Sequence, residues 1–250
     1  VKRSASILAA AAAFLSLLGA VAVADTLIGT ESSDTLAGSP GPDQVYGESG
    51  DDRISGGAGN DYLEAGPGGD RVSGGRGVDM VIGGTGDDRL DAGSAGDVVY
   101  AGAGGDTVLG GSGSDTLLGQ AGDDRIFGGP GRDRIYASLG DDTVDGGGGS
   151  DHIGAYEGDA TLLGGTGDDR ITARGGDIEI DGGSGDDRIR TGGGRDRVTG
   201  GPDADRISTG RRGDAVDAAD GRRDVIDCGR GRDAVKADPF DLLRRCEVVR

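Results

Sequence analysis

Residues 164–190 read GGTGDDRIT, ARGGDIEID, GGSGDDRIR, three nine-residue phrases in one register. The outer two are near-copies, while the middle one keeps their layout but holds Ile178 where they hold Asp169 and Asp187. Read outward from here, blocks of nine run without insertion from Gly29 to Asp217, which makes 21 copies. With copies counted from Gly29, the eighth position is aliphatic in every one, from Leu36 to Val216. The sixth is Asp in 19 of the 21, failing at Ala160 and Ile178, and the fourth is Gly in 17. A period of nine with one apolar site fits no amphipathic helix.

Composition alone suggests disorder: 56 Gly, 45 acidic and 26 basic residues, no Trp and three Phe leave little for an ordinary core. The period changes that reading. Glycines at positions one, two and four permit tight turns, so the first six residues of a copy are read as a loop gathering carbonyls and the Asp carboxylate. Residues seven to nine, as in Arg89-Leu90-Asp91, alternate outward, inward, outward like a very short strand. One inward aliphatic per strand cannot fold alone, but stacked copies merge these side chains into a narrow core between two parallel sheets.

Full G-G-x-G-x-D matches stand at 56–61, 74–79, 83–88, 110–115, 128–133, 146–151, 164–169 and 182–187. The pattern resembles the hemolysin-type calcium-binding nonapeptide, or RTX repeat. The resemblance implies an all-β, right-handed parallel β-roll of about 21 repeats, two per coil, with Ca²⁺ held between the loops of copies n and n+2. It implies carboxylate ligands at position six: Asp43, Asp52, Asp61, Asp70, Asp79, Asp88, Asp97, Asp106, Asp115, Asp124, Asp133, Asp142, Asp151, Asp169, Asp187, Asp196 and Asp205. Hard oxygen ligands suit Ca²⁺, and binding many ions would couple to folding. Some ten coils at strand spacing make a rod roughly 50 Å long.

Alternate copies fall on opposite edges, and seven of the eight full matches are in even copies. Both Asp losses are in odd copies, 15 and 17, one coil apart. Leu139, Tyr156, Ala160 and Ile178 lie in consecutive odd loops, so apolar contact is expected to replace metal there, with Asp159 and Asp177 at position five as substitute carboxylates. Drift of the repeat is the other reading. On the outward positions, odd strands stack Arg53, Arg71 and Arg89, read as a solvated ladder. Even strands bring Met80, Ile82, Val98, Tyr100, Leu118 and Tyr136 onto four successive rungs, a candidate docking or self-association surface.

At the N-terminus, Lys2 and Arg3 precede an apolar run from Ile7 to Val23 that ends in small residues, the layout of a secretory signal peptide over 1–24. Without Lys2 and Arg3 the formal charge is −21, a balance that favours cations and disfavours nucleic acid. Domain boundaries follow: 1–24 signal peptide, 25–217 β-roll, 218–250 degenerate repeats and a C-terminal cap, after a one-residue slip near Ala218-Ala219-Asp220. Phe240, Leu242, Leu243, Val248 and Val249 are the expected cover for the last coil. Cys228 and Cys246 are 18 residues apart, one coil, which would stack them within disulfide reach if the path continues; free thiols are the alternative.

The chain is read as no enzyme. Its one histidine, His152, excludes an H-E-x-x-H zinc site, and no G-x-S-x-G elbow occurs. The expectation is therefore a secreted calcium-binding β-roll, exported by the general secretory route and without a stable membrane anchor after cleavage. An extracellular adhesive or matrix protein using the apolar sheet face is the alternative. An ice-binding solenoid ranks below it, because the outward Thr107, Thr116, Thr143 and Thr161 form no single ladder.

Overall fold

The structure is a computed structural model that describes residues 24–249; all of the expected signal peptide except Ala24 lies outside the described residues. Two parallel sheets of thirteen strands each are formed by alternate strands along the chain. Thr116–Ala121 pairs with Val98–Ala103 on one side and Arg134–Leu139 on the other, each partner 18 residues away. On the facing sheet Thr107–Ser112 lies between Arg89–Ser94 and Arg125–Pro130. The chain is thus a parallel β-solenoid, two nonapeptides per coil.

Its strands are longer than the three residues read from the sequence. Arg125–Pro130 alternates exposed Arg125, buried Ile126, exposed Phe127 and buried Gly128, so position one of the following copy also faces inward. Gly or Ala at that position carries no hydropathy signal, which is why it reads as loop. The turn shrinks to positions four to six.

The core is the row of position-eight aliphatics, from Val45 and Ile54 to Ile207 and Val216, each 3 % exposed or less. Each is an ordinary buried methyl cluster; what makes them a core is that every coil extends the same two columns.

The coil count exceeds the ten expected. Thr26–Thr30 begins before the first copy, and Val225–Asp227, Ala234–Ala237, Leu242–Arg244 and Val248–Val249 extend both sheets beyond Asp217. The slip is absorbed in a turn, so that Arg206 aligns with Val225 and Ala215 with Ala234, 19 residues apart in place of 18. The expected cover is partly corrected. Leu243 aligns with Ile226 and packs on the core, whereas Phe240 is 65 % and Leu242 41 % exposed. Strand alternation turns Leu243 inward and therefore Leu242 outward.

Cys228 and Cys246 form a disulfide with a Cα–Cα distance of 5.2 Å, and Arg245 pairs with Asp227 beside it. In a solenoid, contacts reach only adjacent coils, so this bond clamps the last coil and little else. Replacing both cysteines with Ser should destabilise the end by about 3 kcal/mol on loop-closure grounds. Hydrogen exchange should then lose protection from Val225 onward and leave Thr107–Ser112 unchanged; uniform loss along the chain would contradict a local clamp.

Candidate metal centre

Position six begins the inward alternation that continues at position eight and at position one of the next copy, so the Asp side chain enters the coil beside the turn. All seventeen carboxylates named from the sequence are 3 % exposed or less. Along the even edge each Oδ1 accepts the backbone N–H of the position-six residue one coil earlier: Asp115 to Asp133 at 2.8 Å, Asp133 to Asp151 at 2.8 Å, Asp151 to Asp169 at 2.7 Å. The odd edge repeats this from Asp106 to Asp124 and from Asp124 to Asp142.

The second oxygen is different. Oδ2 is buried without a hydrogen-bond partner in fifteen of the seventeen, all but Asp43 and Asp142. Buried carboxylate oxygens left this way are costly, and a whole row of them is a donor arrangement that suits cations. Burial, reinforced by like charges one coil away and opposed by the backbone hydrogen bond, pushes Asp88, Asp97, Asp124, Asp151 and Asp205 up to about 7 and Asp187 to about 8.

What lies beside Oδ2 is the position-one glycine of the same copy, across the turn. A methyl group on Gly146 would lie 2.7 Å from Asp151 Oδ2 and 2.6 Å from the carbonyl oxygen of Gly164 in the next coil. On Gly110 it would lie 2.8 Å from Asp115 Oδ2 and 2.6 Å from the Gly128 carbonyl. Two oxygens from adjacent coils, one anionic, therefore flank a space that only glycine leaves open. Among the described residues no three Asp, Glu, His or Cys side chains converge on one point. Each copy offers one carboxylate among backbone carbonyls, a donor set of hard oxygens that fits Ca²⁺ and gives a soft or imidazole-seeking metal nothing.

The sequence profile of the RTX calcium-binding nonapeptide repeat matches residues 28–63, 46–81, 64–99, 82–117, 118–153, 155–177 and 180–211. The chain belongs to this family. A search of curated proteins finds no match. Within 28–211 the RTX matches leave out only Gly154, Ile178 and Glu179.

That seam coincides with an irregularity in the RTX carboxylate rows. Ala160 and Ile178 are buried in the odd row, at 6 % and 2 % exposed, and neither side chain can accept the N–H of the preceding coil. The row resumes when Asp196 Oδ1 accepts from Ile178 N–H at 3.1 Å. Asp159 and Asp177 do not fill the gap. They are exposed at the turn, where Asp159 accepts the N–H of Asp177 and Asp177 that of Arg195, because position five faces outward. Leu139, 48 % exposed, and the partly exposed Tyr156 likewise stand outside the row.

Two features of the RTX rows escaped the sequence reading. The first is position one. It is Gly in nine of ten even copies from Gly38 to Gly200, but in only four of eleven odd copies, and from Ala137 onward the odd edge holds Ala137, Ala155, Ala173, Thr191 and Thr209. The signal was present as Gly against Ala. It was unreadable until the turn placed position one against Oδ2. The second is that Asp214, Asp224 and Asp233 continue the carboxylate rows, each with a buried, unpaired Oδ2; Asp224 and Asp233 are legible as a repeat-like pair after the slip, but none of the three was counted among the expected ligands.

Proposed function

We propose that this RTX chain is a secreted protein that binds several Ca²⁺ ions between its coils and depends on them to fold, with no catalysis of its own. The observation that carries the reading is the buried, unpartnered Oδ2 facing a carbonyl of the next coil over a position-one glycine. The position-six carboxylates named above would hold the ions together with position-one carbonyls. A bound Ca²⁺ would supply the positive charge that these rows lack. The residues themselves do the rest: Oδ1 fixes each carboxylate to the previous coil, and burial keeps water from competing.

The two edges are proposed to be unequal. The even row is open along nearly its whole length, whereas the odd row is narrowed by Cβ atoms from Ala137 onward and broken at Ala160 and Ile178. Gly146→Ala should close the space on Asp151 Oδ2 and lower the number of ions bound by about one per chain. Equilibrium dialysis against radioactive calcium measures this, and an unchanged number would remove position one from the site. Ions filling the odd row without interruption between copies 13 and 19 would overturn the asymmetry.

An adhesive or matrix role is the second reading, supported by the alignment of Ile82, Tyr100, Leu118 and Tyr136 on four paired strands, with Met80 and Val98 alongside. Tyr100→Ser with Leu118→Ser should reduce self-association in sedimentation velocity. An unchanged sedimentation coefficient across concentrations would leave this face without that role. Export rests on the signal-like segment 1–24 and is tested by recovery of the chain from culture medium.

A further inference from the structure

The outward face of the even-copy sheet changes character along the rod. After the apolar rungs, the position-seven row runs Arg134, His152, Arg170, Arg188, Arg206, aligned residue on residue. Position nine adds Arg190 between Thr172 and Ser208. At positions seven and nine of these five strands no residue is acidic, in a chain of net charge −19; Glu157 is exposed at the far end of its strand. The facing sheet of the same coils carries Asp145, Glu179, Asp181 and Asp217 outward, with Arg197 among them. The two faces of these coils therefore carry net charge of opposite sign.

These arginines are exposed, and the ion pairs among the described residues, Lys236–Asp217 and Arg245–Asp227, involve none of them. Within the strip is a shallow depression whose lining includes Gly154, Tyr156, Arg170 and Arg190. Gly154 forms its floor, since a side chain there would meet the rings of Tyr136 and Tyr156 at 3.2–3.4 Å. Arg174 stacks on Tyr156, 5.1 Å from the ring centroid.

We propose that this strip binds a linear acidic polysaccharide, the arginine row meeting its anionic groups and the tyrosine-walled depression over Gly154 taking a sugar ring. Strand spacing sets the cations about 4.8 Å apart in single file, a step comparable to that of one pyranose in an extended chain. Aromatic faces beside Arg suit sugar rings and their carboxylates or sulfates. The strip is narrow, bordered by Asp168 and Asp186 in the turns at one edge and Glu157 at the other, all outside the strip. A duplex or a bilayer would overlap those acidic borders; a single-file polymer lies between them. This surface goes beyond calcium binding and uses none of the position-six carboxylates.

The test is titration of the calcium-loaded chain with a chondroitin sulfate oligosaccharide, which carries an anionic group on each sugar and does not gel with calcium. Binding is expected to weaken with salt, as released counterions require. Arg170→Ser, Arg188→Ser and Arg206→Ser together should lower affinity by about tenfold or more. The matched triple Arg53→Ser, Arg71→Ser and Arg89→Ser on the facing sheet should change it less than about twofold. Circular dichroism with calcium checks that both triples fold, and the single Arg188→Ser gives a smaller loss if the first does not. No binding, equal loss in both triples, or equally tight binding of duplex DNA or phosphatidylglycerol vesicles would each overturn the proposal.

Discussion

Chelating calcium at about pH 8 should unfold most of the sheet, and acidifying the same metal-free chain to about pH 5.5 should restore part of it. The direction follows from the buried rows. Asp88, Asp97, Asp124, Asp151 and Asp205 are pushed up to about 7 and Asp187 to about 8 in the folded chain, against 3.8 for an ordinary Asp. Between 3.8 and these raised values the folded state holds more protons than the unfolded one. Stability of the metal-free coil therefore falls as pH rises through that window, and is greatest below it. Protons and Ca²⁺ answer the same need, neutral charge on a buried Oδ2, so calcium affinity should fall as pH falls. Far-ultraviolet circular dichroism with chelator, stepped from pH 8 downward, measures both effects. A sheet signal at pH 8 in chelator equal to that with millimolar calcium would refute metal-coupled folding.

The same rows explain what was legible in the sequence. A fixed period of nine with Val, Leu or Ile at position eight gave the coil, because every copy must solve the same packing problem and no copy can solve it alone. Position-six Asp was legible for the same reason. Strand length was not: Gly128 and Ala137 face inward as surely as Ile126 and Ile135 do, yet small residues mark no face in a hydropathy pattern. The division of labour between adjacent carboxylates was also hidden. In Asp123-Asp124 the first side chain turns outward and accepts the N–H of Asp141, one coil ahead, while the second turns inward and accepts that of Asp106, one coil behind. Only strand alternation distinguishes them, and alternation needs the turn to be placed first. Past the single inserted residue, Asp224 and Asp233 stay legible as a repeat-like pair because they keep the nine-residue spacing; that their carboxylates extend the buried rows shows only once the strands are paired across the slip.

Gly149→Ala should be among the most damaging single substitutions, lowering stability by about 3 kcal/mol or more at fixed calcium. Gly149 sits at position four with φ +122°, where an L side chain is strained, and its Cβ would overlap the carbonyl of Gly131 one coil below. Neither neighbour can yield, because Gly149 N–H donates to Thr166 O of the next coil at 2.7 Å and Gly131 N–H donates to Gly148 O at 2.6 Å. Strain at one turn cannot spread in a solenoid; it separates copies 12 and 14 and breaks the even carboxylate row where it is most regular. Non-glycine residues at position four, Ala95, Asp203 and Arg212, mark the range of tolerance, since they keep positive φ of 91°, 96° and 86°, nearer the left-handed helical region that L residues can adopt. Gly193→Ala is the matched control: φ there is not positive, nothing lies within 4 Å of its added Cβ, and its effect should stay within about 0.5 kcal/mol. Guanidinium unfolding followed by circular dichroism compares the two. If both substitutions shift the midpoint equally, close backbone approach at position four is not what holds adjacent coils in register.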